Sequence, residues 1–472
     1  MRALTVVNPP RLQVLGPALD VLVQRGFIAG WTAFSITERD SYAGLPEHCR
    51  PYLTRVRFPR EDHRLRSRAE ADRCLRDLAL RYPRLDFGRV LATEKYIAKY
   101  FPDGLIDIAN LFMNLEEAIT GDPEMGVLLG DLPASLLDMA AYQICKSCGM
   151  ATVFLMTSRF SEPRLVIFNQ PEVGYSAVLE SARSRLAWGP LPAELEERAR
   201  RYVRAVAAGN AKPPYVESMA AKQRGAGVVR KLARGSRLLL RPGEFVQLLR
   251  ASWENFALRR DWNSIFSRLD EVDEFVFFPV QYEPEASTYL MTPFWKDQYH
   301  ALEALCYSVP PGYTVYVKEH PLHLRQRRIC ASTLRDYLGK LPNLRFADPR
   351  EDSHRIIRRS RAVVVLSSTA GWEALLCGKP VFQLGHCEYS RFGGVYPVES
   401  FDELSRIMAD AIAHHEVSEE PIVRTVATMY EGTAPGLLDD PKWAAKVTAR
   451  ENIENVARAF ELGYDADVGP AA

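Results

Sequence analysis

The stretch that decides the fold is VVVLSSTAGWEALLCGKPVFQLG, residues 363–385. Its apolar runs and small residues predict a buried strand, a tight turn, a short helix, a Gly-Lys-Pro stop and a second buried strand. The unpaired N–H groups and partial positive charge of such a helix N-terminus favour a phosphate. The residues predicted to offer backbone N–H groups and hydroxyls there are Ser367, Ser368, Thr369 and Gly371. Glu373 lies about one turn further along, where its carboxylate can accept hydrogen bonds from the hydroxyls of a ribose.

The same alternation of strand and helix surrounds this stretch. Predicted strands occupy residues 275–280, 314–318, 344–347, 362–366 and 381–384, and predicted helices occupy 294–308, 328–338, 353–360 and 371–377. Four polar motifs lie at or just after the ends of these strands: QYEPEAS (281–287), KEHP (318–321), SSTAG (367–371) and GHCEY (385–389). Because ligands of open parallel sheets bind beyond the carboxyl ends of the strands, these motifs predict one shared site.

Three side chains in these motifs suggest chemistry. His320 precedes Pro321, which keeps it extended at a strand exit, where the imidazole can donate to a phosphate oxygen and steady a leaving group. Glu283 and Glu285 flank Pro284, and either can supply the carboxylate that substitution at an anomeric carbon needs. Acidic residues also suit the start of a helix, so this structural interpretation stays open.

Other polar residues are weaker candidates. Lys318 can add positive charge near the phosphate or can be a surface cation, and Gln281 and Tyr389 are candidate substrate contacts. In the first half, GDLPAS (130–135) and TSRF (157–160) follow predicted strands. Arg159 in the second of these can bind a carboxylate or phosphate, and a structural ion pair explains it equally well.

Bulk properties limit the class of protein. The 472 residues predict two domains, and the net charge of +1 gives no reason to expect nucleic acid. No apolar run approaches the roughly 18 residues of a membrane span, and the start of the chain predicts a strand rather than a signal peptide. Cys145 and Cys148 form a single C-x-x-C pair on a predicted helix. Buried thiols and a cytoplasmic location are expected, with no metal site.

The first half alternates strands and helices as well. Predicted strands cover 3–7, 90–93, 125–129, 152–156 and 164–168, with helices at 69–82 and 135–148 between them. This alternation predicts a doubly wound, mainly parallel sheet. One more amphipathic helix is predicted at 442–462, ending near Gly463.

A basic segment separates the two halves. Residues 220–260 contain ten Lys or Arg and only two Glu, with leucines interleaved. A basic amphipathic helix can lie on an anionic membrane surface. A helical connector with a solvated charged face explains the composition equally well.

The motifs of the second half resemble the bacterial capsule polysaccharide biosynthesis family, which includes Kdo transferases. The resemblance rests on QYEPEAS, VKEHP, SSTAGWEALLCGKPVFQLG and the following Tyr389 with Gly393. It is strongest over residues 275–398 and looser over 85–169. It implies a GT-B α/β fold, in which two Rossmann-like domains face a cleft and the C-terminal domain binds the donor nucleotide.

The resemblance also implies roles for individual residues. His320 would contact the donor phosphate, Ser367 and Ser368 would cradle it, and Glu373 would hold the ribose. The loop QYEPEAS carries Glu285 where the Kdo transferases carry a catalytic aspartate, and Pro284 replaces the preceding acid.

These observations predict a glycosyltransferase that uses a nucleotide sugar, with CMP-Kdo first among donors, and a glycan or glycolipid acceptor. It would need no cofactor and would work in the cytoplasm, at the inner face of the bacterial membrane if the basic segment binds there. Open alternatives are a UDP- or GDP-hexose transferase, a glycerophosphotransferase, an epimerase, or a non-catalytic nucleotide-binding assembly protein. The expected divisions are an acceptor-side domain (1–190), a basic connector (191–265), a nucleotide-sugar domain (266–430) and a C-terminal helix and tail (431–472).

Overall fold

The structure, a computed structural model, divides into two compact units. Unit 1 comprises Met1–Leu195, Pro213–Tyr215 and Ala427–Ala472, and unit 2 comprises Glu196–Lys212 and Val216–Val426. The residues described are 1–36, 42–43, 45–59, 63–94, 100–211, 213–214, 253, 256–258, 260–283, 286–292, 294–295, 297–320, 323, 330–416, 418–442 and 444–469. Of the basic segment 220–260, this leaves 253, 256–258 and 260, so the prediction of a helix there lies outside the described residues.

Each unit is built on one sheet. The strands are β1 (Arg2–Val6), β2 (Trp31–Phe34), β3 (Val56–Arg57), β4 (Met125–Asp131), β5 (Ala151–Thr157), β6 (Arg164–Phe168), β7 (Phe266–Ser267), β8 (Phe275–Pro279), β9 (Thr314–Lys318), β10 (Leu344–Ala347), β11 (Ala362–Val365), β12 (Val381–Gln383), β13 (Val395–Pro397) and β14 (Thr433–Pro435). Their order is β14-β6-β5-β4-β1-β2-β3 in unit 1 and β13-β12-β11-β8-β9-β10-β7 in unit 2.

Helices connect these strands. Those of unit 1 are Pro9–Gln24, Arg68–Arg81, Phe87–Ala92, Leu105–Thr120, Leu136–Ser147, Ala177–Arg185 and Arg450–Val468. Those of unit 2 are Trp262–Ile265, Ala286–Met291, Gln298–Ser308, Ala331–Lys340, Ser353–Arg359, Thr369–Leu376 and Phe401–His414. Ala193–Ala207 and Glu419–Glu431 cross the boundary between the units. Within the described ranges, no helix combines the length and the apolar character that crossing a bilayer requires.

The sheet of unit 2 explains why its sequence reads as short apolar runs. All of its described strand pairs are parallel. Helices cover both faces of such a sheet, so its strands are apolar throughout rather than alternating. Every residue of β11 is buried. The expected α/β class with two Rossmann-like sheets is confirmed.

Two strand pairs of unit 1 depart from the parallel arrangement. β5 pairs antiparallel with β6, and β6 pairs antiparallel with β14. Only residues 158–163 separate β5 from β6, which is too short for the crossover that parallel pairing needs.

The strand predicted at 90–93 is wrong. Residues Phe87–Ala92 form a helix, and Asp86 caps it by accepting a hydrogen bond from the Arg89 N–H. A four-residue apolar run does not separate strand from helix by itself, and the aspartate before it was the available signal. The sequence analysis also missed five short strands, β2, β3, β7, β13 and β14.

The end of the chain returns to unit 1. The helix predicted at 442–462 begins only at Arg450 and continues through Gly463 to Val468. A Cβ on Gly463 would lie 2.5 Å from side-chain atoms of both Val153 and Ile167. The glycine therefore lets this helix approach the sheet closely. The described residues between 431 and 469 contribute to the core of unit 1 rather than forming a separate tail.

Candidate functional site

The turn after β11 has an uncapped helix start. Ser368 is the N-cap residue of the helix Thr369–Leu376, and its side chain makes no capping hydrogen bond. Its Oγ is buried and has no hydrogen-bond partner among the described residues. A buried hydroxyl without a hydrogen-bond partner loses free energy unless a ligand pairs with it. Of the predicted donors, the Ser367 N–H donates to Gln281 Oε1 and the Gly371 N–H donates to the Ser368 carbonyl. The Ser368 hydroxyl is the candidate donor to a ligand phosphate.

Gly371 and Tyr389 support this turn from the protein interior. The hydroxyl of Tyr389 donates to the Ser368 carbonyl at 2.6 Å, and the side chain is fully buried. A Cβ on Gly371 would lie 2.4 Å from that hydroxyl oxygen and 2.9 Å from Val365 Cγ2. The glycine thus makes room for the tyrosine that holds the turn, and both residues act from beneath the site.

The loop after β8 is joined to the same turn. Gln281 accepts from the Ser367 N–H at 3.3 Å through Oε1, and its Nε2 lies 3.4 Å from Ser367 Oγ. Both residues are at most 8% exposed. Together with the Tyr389–Ser368 bond, this brings three of the four polar motifs into direct contact, as their common position at the carboxyl edge predicted.

Gln298 fixes the backbone of this loop and was missed by the sequence analysis. Its Oε1 accepts from the Gln281 N–H at 2.7 Å, and its Nε2 donates to the Gln281 carbonyl at 2.8 Å. The same Nε2 donates to Glu283 Oε1 at 2.7 Å. Glu283 is half-buried and its carboxylate direction is set by this amide. Glu285 and Pro284 lie outside the described residues.

His320 follows β9 and is half-buried. Its ring lies 5.4 Å, between centroids, from the ring of Tyr282 in the loop after β8. Burial, then the neighbouring His323 and Lys318, lower the pKa of His320 to about 4. The imidazole is therefore neutral at neutral pH and can donate one N–H to a phosphate oxygen.

This shift predicts that His320 destabilises unit 2 in acid. Because its pKa is about 4 in the folded chain and 6.5 ordinarily, the unfolded chain binds more protons between these values. The contribution of the neutral His320 to the free energy of unfolding is fully present above pH 6.5. It is lost as the pH drops towards 4, and the loss is at most about 3 kcal/mol. His320→Gln should flatten this part of the profile, which urea unfolding at pH 7, 5.5 and 4.5 measures. An unchanged profile, relative to a variant at the exposed His414, would contradict the shift.

Lys318 is used within the fold. Its Nζ donates to the Glu351 carbonyl at 2.6 Å and to Ser353 Oγ at 2.8 Å. Burial lowers the pKa of this ammonium. Lys318 therefore ties β9 to the start of the helix Ser353–Arg359, a role that its place in the sequence does not reveal.

Glu373 lies in the helix that begins at Thr369, half-buried. Burial raises the pKa of its carboxyl group, the nearby His354 opposes this, and Asp352 adds to it. A partly desolvated carboxylate gains from accepting hydroxyl hydrogen bonds. The neighbouring Trp372 donates from Nε1 to Tyr202 Oη at 3.3 Å and anchors the helix to Ala193–Ala207.

Polar residues also follow the strands of unit 1. Arg159 lies just after β5. Asp131 ends β4 and pairs with Arg11, whose Nε is 2.9 Å away. Asp138 accepts from the N–H and hydroxyl of Ser135 at 3.0 and 2.5 Å, forming the capping box of Leu136–Ser147.

Asp138 should respond to pH in the opposite sense to His320. Burial raises its pKa from 3.8 to about 7, with Asp131 and Glu94 adding to the effect and Ser135 opposing it. The contribution of the protonated Asp138 to the free energy of unfolding is therefore fully present below pH 3.8. It is lost as the pH rises through 7, and the loss is at most about 4 kcal/mol. Asp138→Asn keeps an acceptor for Ser135, so it should be more stable than the parent at pH 8 and equal to it near pH 4. Thermal midpoints across this range give the comparison, and a constant offset would refute it.

The carboxyl edge of the unit 2 sheet thus carries a candidate anion and sugar site. A helix N-terminus without a side-chain cap, a neutral imidazole and a positioned carboxylate are typical of an α/β domain that binds a nucleotide ligand. Of the predicted residues, the structure joins Gln281 to Ser367 directly and places Ser368, Thr369, Glu373, Glu283 and His320 at this edge.

Comparisons with known proteins agree with this class. Residues 250–396 match the family model described as capsule polysaccharide biosynthesis protein. All four polar motifs lie inside the match, so the resemblance that they indicated is confirmed for this part of the chain. Protein FixF of Sinorhizobium fredii (strain NBRC 101917 / NGR234) is 32% identical over 127 residues, which make up 26% of this chain and 30% of that protein. The chain therefore matches about 30% of the length of this relative.

Solved structures with a similar chain course were also found. The Thermosulfurimonas dismutans KpsC beta Kdo 2,7 transferase has a TM-score of 0.36 at 16% identity, covering 74% of this chain and 88% of that one. Anabaena HepE in complex with UDP-glucose has a TM-score of 0.27 at 11% identity, covering 98% of both chains.

Proposed function

We propose that this protein is a glycosyltransferase of bacterial capsule or surface polysaccharide biosynthesis. The observation that carries the proposal is the contact between two motifs of the matched segment, in which Gln281 bridges the carboxylate loop to the turn at Ser367. In the proposal, the Glu283 carboxylate faces the sugar and the turn at Ser368 binds the phosphate, and this contact supports assigning both to one site of unit 2. Transfer from a nucleotide sugar needs both groups.

The proposed roles follow the geometry. The N-terminus of Thr369–Leu376 and the Ser368 hydroxyl hold the donor phosphate, and Glu373 accepts from the ribose hydroxyls. His320 donates its N–H to the leaving phosphate oxygen. These groups stabilise the charge that develops as the donor bond breaks, and no metal takes part in the proposal.

The reaction exchanges one bond for another. The bond between the anomeric carbon and the phosphate oxygen breaks, and its electron pair leaves with the nucleotide. An acceptor hydroxyl forms the new glycosidic bond, and its proton passes to a carboxylate base. Glu285 is proposed to act at the anomeric carbon, with Glu283 stabilising the positive charge that develops on the sugar ring.

CMP-Kdo is the first donor proposed, and a glycan or glycolipid the acceptor. The family description of residues 250–396 supports a role in polysaccharide biosynthesis. The choice of Kdo is supported by the Kdo-transferase names of two solved structures. A cytoplasmic location and contact of residues 220–260 with anionic lipid at the membrane's inner face are further proposals, supported by ten Lys or Arg against two Glu. Absence of cosedimentation with anionic vesicles at low salt would refute the lipid contact.

Thermal unfolding with CMP, UDP, GDP and CDP tests the donor class. A nucleotide at about 100 times its dissociation constant should stabilise the native state by roughly 2.7 kcal/mol. Selective protection by CMP, followed by transfer from CMP-Kdo, would support the proposal. Protection by UDP or GDP would instead indicate a nucleotide-hexose donor. Identification of the reaction product would then distinguish a transferase from an epimerase or a glycerophosphotransferase. Binding without turnover over a donor panel would contradict enzymatic function.

Glu285→Gln tests the catalytic step. Transfer should be abolished while protection by the nucleotide is retained, because the amide keeps the size of the side chain and loses its charge. Transfer at the parent rate would show that Glu285 has no catalytic role.

A further inference from the structure

His323 makes contacts that the proposed mechanism does not use. Its side chain is 10% exposed, and its Nε2 accepts a hydrogen bond from the Glu283 N–H at 3.1 Å. Its Nδ1 lies 3.5 Å from Glu319 Oε2. Since Nε2 must offer a lone pair to the N–H group, these partners assign the proton of the neutral ring to Nδ1, facing the carboxylate.

Glu319 anchors this arrangement inside unit 2. The residue is 1% exposed and follows β9. The hydroxyl of Tyr299 donates to Glu319 Oε1, and burial followed by the Glu319 carboxylate raises the pKa of that hydroxyl. The hydroxyl thus keeps its proton, and a buried carboxylate is available to orient the imidazole. A ring nitrogen fixed by a carboxylate leaves the opposite nitrogen in a defined direction.

The ring is also held by its neighbours. Its centroid lies 5.6 Å from that of Tyr282 and 5.9 Å from that of His320. The backbone N–H of His323 donates to the His320 carbonyl at 2.9 Å and fixes the peptide that carries the ring. These contacts restrict the rotation of the imidazole, so its Nε2 keeps pointing at the loop after β8.

Glu283 is consequently held from two sides. Gln298 binds its carboxylate, and His323 binds its backbone N–H. A side chain whose own peptide is fixed has fewer directions in which its carboxylate can point. Catalytic groups must be held within a fraction of an ångström, and a misplacement of about 1 Å can cost roughly 10²-fold in rate.

We infer that His323 is a positioning residue for Glu283, holding the loop 281–283 through Nε2 while Glu319 fixes the tautomer. The inference rests on the proposed function, because it assigns Glu283 a place in the transfer reaction. It adds a residue outside the four polar motifs to the machinery of the site.

Two variants of matched polarity but different reach test the inference. His323→Gln can place an amide oxygen where Nε2 lies, whereas His323→Asn is shorter and cannot reach the Glu283 N–H. Hydrogen–deuterium exchange of the Glu283 amide, resolved by fragmentation, reports the bond without any substrate. Exchange should quicken about tenfold in His323→Asn, as expected for one lost hydrogen bond, and stay near the parent rate in His323→Gln.

Turnover with CMP-Kdo, or with the donor that the nucleotide screen selects, gives the second measurement. His323→Asn should lower kcat roughly 10²-fold with the donor KM unchanged, and His323→Gln should recover most of it. His414→Asn, at an exposed histidine, serves as the control. Unchanged exchange in His323→Asn would overturn the assigned bond, and faster exchange with unchanged kcat would overturn the positioning role.

Absence of transfer by the parent with every donor would overturn the proposed function and the positioning role together, while the exchange data would still decide the bond. If His323→Asn does not fold, His323→Leu takes its place in both measurements, since it too lacks an acceptor.

Discussion

Replacing Glu283 with glutamine is expected to lower sugar transfer by roughly 10²–10³-fold and to leave nucleotide binding intact. The substitution removes the charge and keeps the shape, and an amide oxygen at position 283 can still accept from Gln298, which now donates to Glu283 Oε1 at 2.7 Å. The loop should therefore stay in place while the positive charge that develops on the sugar loses its counter-charge. The kinetic loss should appear in kcat, with thermal protection by the nucleotide unchanged.

Glu303→Gln is the matched control for this experiment. Glu303 lies on the helix Gln298–Ser308 of the same unit, where its carboxylate is within 3.4 Å of the exposed Tyr307 hydroxyl. Its replacement should leave kcat at the parent value. Equal rates for the Glu283 and Glu303 variants would exclude Glu283 from the reaction and leave Glu285 as the carboxylate to be examined.

Gly385→Ala should destabilise unit 2 by about 3 kcal/mol or more. A Cβ at this position would lie 1.9 Å from Thr292 Cγ2, 2.7 Å from the Met291 carbonyl oxygen and 3.2 Å from that of Leu366. Backbone atoms cannot move aside as a flexible side chain does. The Leu366 and Met291 carbonyls also accept from the N–H groups of Gly385 and His386, respectively. Relief of the clash would therefore break hydrogen bonds that join the loop after β12 to the end of β11 and to the last residue of the helix Ala286–Met291.

Gly393→Ala provides the comparison, because nothing lies within 4 Å of the added Cβ and its backbone conformation is an ordinary one. Its urea midpoint should match that of the parent or exceed it slightly, since alanine restricts the unfolded chain. A Gly385→Ala variant with the same midpoint as Gly393→Ala would show that the packing around Gly385 can relax.

The sequence predicted the parts of the site that local pattern determines. The bounds of β9 and β10 are those expected, and the turn at Ser367 and Ser368 lies where small residues interrupt an apolar run. Buried parallel strands and helix starts have signatures only a few residues long. For the same reason the edge at which the polar motifs gather could be placed from the sequence.

What the sequence could not show depends on contacts between distant residues. Gln298 is one glutamine in an amphipathic helix, and its three hydrogen bonds to the loop after β8 come from packing across 15–17 positions. Its only signal was Asp297, the N-cap directly before it. Lys318 and Tyr389 looked able to face a ligand, but their partners, the Glu351 and Ser368 carbonyls, lie 33 and 21 residues away. A short stretch of sequence does not reveal that a polar side chain is buried against a partner so distant along the chain.

The return of the chain to unit 1 has a consequence for biosynthesis. The core of unit 1 includes Ile453, Val456 and Phe460 from its last helix, and β14 forms the edge of its sheet beside β6. During translation, the strands β1 to β6 leave the ribosome early but remain without these partners until all of unit 2 has been made. The unit whose synthesis begins first is therefore the one whose folding finishes last.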